Sequence, residues 1–86
     1  MHNFDMALYF ERLVSTISKQ GLSYDWLKDS ESLKKHRRYE LQRVLGDIKT
    51  VLNSKMYSPE TRKRLRVQKK RLESDIRNIS NRLRDM

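Results

Sequence analysis

The chain has 86 residues, 36% of them charged and only three of them Gly or Pro, with a formal net charge of +9. So short a chain buries only about 60% of its unfolded surface, which makes it one small domain (1–86) with a thin core. The scarcity of turn residues excludes a sheet-rich or linker-rich fold in favour of an all-α one. Without Cys there is no disulfide framework and no thiolate metal site. His2 and His36 have no helix-spaced partner, and no nucleophile–base pair or paired carboxylates stand out. A non-catalytic protein without metal or cofactor is therefore expected.

The N-terminus has no basic region, and its apolar residues are interrupted by Asp5, Glu11 and Arg12, so no secretory signal is expected there. No apolar run approaches the roughly 20 residues that span a bilayer. A cytoplasmic setting with no membrane partner follows as the expectation.

Asn3 can cap a first helix over about 4–18. Its apolar residues Met6, Phe10, Leu13 and Ile17 fall at helical spacing, with Tyr9 and Val14 beside them. Gly21 is placed to end it as the residue after the C-cap. Leu22 to Asp29 reads as a connector in which Ser23 caps a turn holding Tyr24, Trp26 and Leu27, with Trp26 as a core plug. Residues 1–29 thus form an N-terminal helix and connector.

Asp29 or Ser30 then caps a second helix over about 30–53, with Glu31 in its first turn. Leu41, Leu45, Ile48 and Leu52 make its apolar seam, widened by Val44 and Val51. Gly46 lies inside the helix, where a close helix approach would explain it. The cationic run Lys34-Lys35-His36-Arg37-Arg38 precedes the seam and is expected to be exposed.

Ser54 to Tyr57 is too short to do other than turn the chain back, so helices two and three are antiparallel neighbours. The third helix, about 59–85, opens on Ser58 as N-cap, Pro59 at the first helical position and Glu60 beside the positive helix end. Leu65, Leu72, Ile79 and Met86 recur every seven residues, with Ile76 and Leu83 between them. Pairing positions whose numbers sum to about 113 sets Leu41 against Leu72 and Ile48 against Leu65. Leu45 falls near Lys69, whose stem can pack. Ile76, Ile79 and Leu83 fall opposite Arg37, Lys34 and Ser30, so this half-seam needs another cover. The first helix supplies it in a three-helix domain, and a homodimer or protein partner supplies it otherwise.

Charge is unevenly placed. Residues 1–32 carry five acids against three bases, a net −2, whereas 33–86 carry 17 Lys and Arg against six acids, a net +11. The basic hairpin of residues 30–86 is thus suited to a polyanion. In the third helix Lys63, Lys70, Arg77 and Arg84 share one outward heptad position, with Arg64 and Arg71 next to them, and Arg62 and Arg66 close by. The stripe is roughly 32 Å long. Intrahelical pairs such as Glu60–Arg64 and Glu73–Arg77 leave most of its charge unanswered. The cluster of Lys34, Lys35, Arg37 and Arg38 adds to it, and Tyr39 and Tyr57 are candidates for stacking on unpaired bases.

A basic helix with leucines every seven residues invites comparison with the basic leucine zipper family, but the likeness fails. Here the basic residues overlap the heptads instead of preceding them, and the family's Asn- and Arg-containing reading motif is missing. No helix-turn-helix, RRM, KH or OB pattern is present either. Arg-rich helices suit structured RNA, so RNA is expected ahead of DNA. The expected function is therefore a non-catalytic helical protein binding RNA or a ribonucleoprotein through its Lys/Arg stripe. The alternative is a small inhibitor or adaptor docking on a larger nucleic-acid-acting enzyme or toxin, together with its RNA. In size and composition alone the chain is similar to bacteriophage counter-defence inhibitors. Tyr9, Tyr24 and the acids of residues 1–32 would be its contacts.

Overall fold

The computed structural model describes residues 4–23 and 31–85, with side chains described over 4–17 and 31–85. Three helices, α1 (Met6–Ser23), α2 (Glu31–Asn53) and α3 (Pro59–Arg84), account for nearly all of it, and no strand occurs among the described residues. The all-α three-helix domain expected from the sequence is the observed fold.

Asp5 starts α1. Its carboxylate accepts a hydrogen bond from the Leu8 backbone N–H at 2.9 Å, and its carbonyl accepts one from Tyr9 at 3.0 Å. A short Asx side chain satisfies one of the four orphan donors in this way. The cap is thus Asp5, whereas the expected Asn3 lies outside the described residues. Gly21 does not end the helix: α1 continues through it to Ser23. A helical Gly costs about 1 kcal/mol relative to Ala, which does not compel termination. The expected turn with Tyr24 and Trp26, and the Asp29 or Ser30 cap, lie outside the described residues.

Helix α2 buries Leu41, Val44 and Ile48, with Leu45, Val51 and Leu52 half-buried. Its core-facing row is therefore turned toward Val44, and Leu45 and Leu52 flank it. Gly46 lies on the outer side, where an added Cβ would meet nothing within 4 Å. The close helix approach expected at Gly46 does not occur.

The turn is built by local bonds. Ser54 N–H donates to the Val51 carbonyl at 3.0 Å, and Met56 N–H donates to Ser54 Oγ at 3.3 Å. Ser58 is extended (φ −64°, ψ 155°) and its Oγ accepts from Thr61 N–H at 3.2 Å, with Pro59 in the first turn of α3. Across the turn Arg62 Nη2 donates to the Leu52 carbonyl at 3.0 Å and satisfies one of the orphan acceptors ending α2.

Leu65, Leu72 and Ile79 are fully buried. They stand seven residues apart and form the spine of the core, each contributing about 1.5–3 kcal/mol. The partners in the expected pairing, Ile48, Leu41 and Lys34, are all buried too. Lys34 is only 4% exposed, a correction to the exposed run expected from residue 34 onward. It stands where the seam of α2 has run out of apolar residues, and a lysine stem can cover the apolar surface of Ile79.

Both α1 and α2 pack chiefly on α3. Asp5, the cap of α1, and Glu11 within it reach Arg64 in the second turn of α3, so the two helices start side by side. The transverse extents of 22 and 16 Å leave no room for α1, about 27 Å long, to lie crosswise. Helix α1 therefore runs along α3 in the same direction and adds Ala7, Phe10 and Val14 to the buried residues. Ile76 and Leu83 are half-buried against the same core.

Candidate nucleic-acid interface

The outward side of α3 follows from which residues the core consumes. With Leu65, Leu72 and Ile79 facing inward, the helical repeat turns Lys63, Val67, Lys70, Ser74, Arg77 and Asn81 outward, and all six are exposed. No acid interrupts this row. Arg84 continues it, with its Nη2 donating to Asn81 Oδ1 at 3.3 Å. Arg66 and Arg71 are exposed on either flank. Lys63, Lys70, Arg77 and Arg84 thus stand about 10.5 Å apart on one side of a single rigid element.

The remaining candidates divide by burial. Arg64 is half-buried and committed within the fold. Its Nε donates to Glu11 Oε2 at 3.1 Å, its Nη2 donates to Glu11 Oε1, and its Nη1 lies 3.5 Å from Asp5 Oδ2. The expected Glu60–Arg64 pair gives way to this bidentate bond to α1. The Glu11 hydrogen bond pushes the Arg64 pKa further up. Asp5 is held below the usual carboxylate range, first by the Leu8 N–H and then by the Arg64 charge. Arg62 is half-buried and occupied with the end of α2.

In the second cluster Lys34 is buried, Arg37 and Arg38 are half-buried, and Lys35 is exposed but pairs with Glu31 at 2.9 Å. That bond lowers the Glu31 pKa. Tyr39 is 62% exposed beside Arg38. Tyr57 is half-buried and lines a hollow of about 420 Å³ with Glu60 and Arg64. The antiparallel hairpin brings the start of α2 to the last turns of α3. Lys35 and Arg38 therefore stand near the Arg77–Arg84 end of the stripe, and Tyr57 stands at the other.

Exposed cations also occur outside the expected set, at Arg12, Arg43, Lys49, Lys55 and Arg82. Arg43 and Lys49 alternate with Glu40 and Asp47 on α2, and such sign-mixing is the pattern of an ordinary solvated surface. Arg82 lies in the last turn of α3, where a cation also complements the negative helix end.

Among the described residues no three His, Cys, Asp or Glu side chains come together to hold a metal ion, and no helix is long and apolar enough to cross a membrane. What the stripe offers is a line of point charges and guanidinium forks at fixed spacing, suited to phosphate oxygens. Compared with known families, curated proteins and solved structures, the chain matches no family model, no curated protein and no solved structure.

Proposed function

We propose that the protein is a non-catalytic RNA-binding module that holds the phosphate backbone along α3. The observation that carries this reading is the acid-free outward row of α3, with Lys63, Lys70, Arg77 and Arg84 at one heptad position. A helix needing only solubility would alternate signs at these positions, as the outer side of α2 does. A row roughly 32 Å long accompanies about nine nucleotide steps at 3.4 Å each, so several phosphates are reached at once. RNA is favoured over DNA because no helix-turn-helix or other base-reading motif accompanies the basic helix, and because Tyr39 stands exposed beside Arg38 for stacking on an unpaired base.

The test is binding of a fluorescent RNA hairpin and of a DNA duplex by the parent and by the quadruple variant Lys63→Gln, Lys70→Gln, Arg77→Gln, Arg84→Gln. No core atom is removed, so the circular dichroism spectrum holds. Affinity for the hairpin should fall at least tenfold, and the slope of log K against log salt should flatten by about three, at roughly 0.7 per single-strand phosphate. Unchanged binding and slope would move the site off α3. A parent that shifts neither nucleic acid at micromolar concentration would refute the reading and leave the docking inhibitor in its place.

A further inference from the structure

The outward side of α1 carries apolar surface that the fold leaves open. Phe4, Leu8 and Tyr9 are 66%, 37% and 49% exposed, and Leu13 beside them is half-buried. The rings are not loose. Phe4 packs on Tyr9 at 5.6 Å, and Tyr9 stands edge-on to buried Phe10 at 5.1 Å. A depression of about 580 Å³, large enough for several side chains, runs along this side. Two charges border it. Asp5 keeps a carboxylate 46% exposed despite its bond to Arg64, and Arg12 is exposed with no ion partner among the described residues.

The order of these residues is self-complementary. Two α1 helices laid antiparallel, with facing positions summing to 17, set Phe4 on the partner's Leu13, Asp5 on the partner's Arg12 and Leu8 on the partner's Tyr9. The two-fold axis repeats each contact, as an isologous interface requires. Neighbouring alignments fail. A sum of 16 brings Asp5 against the partner's Glu11, and a sum of 18 aims Leu8 at the partner's buried Phe10. This part of the chain is also where two copies repel least, because residues 1–32 carry the acidic share of the charge.

We propose that the outward side of α1 is the seat of a second copy of this chain, forming an antiparallel two-fold dimer centred between Leu8 and Tyr9. The proposal does not depend on the nucleic-acid reading. If both hold, the dimer carries two cationic stripes and gains in avidity for a long polyanion. About three helical turns per copy make a contact at the small end of specific interfaces, so the dimer should be weak and reversible.

Sedimentation velocity on the full chain tests this, after nuclease treatment and at a salt concentration high enough to strip nucleic acid. The expected result is a concentration-dependent rise from the 10.5 kDa monomer to twice that mass. Arg12→Glu, which faces the partner's Asp5 with a like charge, should weaken the dimer at least tenfold without changing the helical spectrum. A second measurement tests the alignment itself. The chain has no Cys, so Leu8→Cys and Thr16→Cys each place a single thiol. Leu8 lies next to the axis and should cross-link rapidly under mild oxidation. The two copies of Thr16 would stand roughly 22 Å apart, far beyond the ~7 Å that a disulfide spans, and should not. A chain that stays monomeric at hundreds of micromolar, or equal cross-linking at both positions, would overturn the proposal. In the first case the face is left to an unrelated protein partner.

Discussion

Gly46 sits in the middle of α2, and the Cβ it lacks would project into open space. An exposed helical Gly has no packing reason to resist Ala, so Gly46→Ala should stabilise the protein by about 0.5–1 kcal/mol. In a domain of this size that is a rise of roughly 2–8 °C in melting temperature, read by circular dichroism. No rise would show that the unfolded chain gains as much as the helix. Gln68 poses the opposite problem, being 9% exposed with its Oε1 buried and unpartnered. An orphaned acceptor costs about 1–3 kcal/mol, so Gln68→Met, similar in length and volume, should raise the melting temperature. A fall would mean that the oxygen is satisfied by solvent. Neither residue gave itself away in the sequence. Gly46 read as a helix contact because glycine is the residue that permits one. Nothing in the sequence singled out Gln68, because the heptad put Lys69 at the inward position beside Leu45. Lys34 was hidden by its neighbours, since one buried lysine looks no different from four other residues of a cationic run.

The three helices differ in how well their ends are written. Helix α3 opens on Ser58, Pro59 and Glu60, three residues that agree, and it was placed correctly at its start and nearly so at its end. Helix α1 offers two Asx residues, Asn3 and Asp5, and only the folded chain shows Asp5 accepting from Leu8 N–H. That cap makes the start of α1 sensitive to acid. The folded Asp5 pKa is depressed below its ordinary value of 3.8. Its stabilising contribution is therefore present above about pH 4 and is lost as pH falls through the depressed value. Asn caps equally well but does not titrate. Because the charged Asp5 also faces Arg64 at 3.5 Å, the parent should be the more stable at pH 6, and its advantage over Asp5→Asn should shrink as pH falls below about 4, as followed by thermal melts. Parallel pH curves for the two would mean that the carboxylate is not held in the folded state as described.

At the scale of the whole molecule, the class of fold was legible because three helix-period segments and one short turn admit few arrangements. The antiparallel pairing was legible because turn length and seam fix it. What joins α1 to the rest was not. The bidentate bond between Arg64 and Glu11 spans 53 positions, and no local pattern distinguishes Arg64 from the cations around it. Two of the cations assigned to the stripe, Arg62 and Arg64, are spent on holding the fold. The exposed cationic row is correspondingly narrower than composition implies, and it is cleaner, because what remains is largely free of acids. The same 53-residue separation sets an order of events. The α2–α3 hairpin closes through a turn of a few residues, whereas α1 closes the longest loop in the molecule, and long loops cost more entropy before their contacts repay it. Docking of α1 is therefore the late step. Val14→Ala, which trims the buried side of α1, should speed unfolding in stopped-flow experiments and leave the refolding rate nearly unchanged. On the ribosome, at about 5–20 residues per second, α1 emerges roughly 3–10 seconds before the helix it must sit on. For that interval its inner surface, Phe10 and Val14, is as open as its outer one, and the nascent chain is at its most adhesive before its basic half has been made.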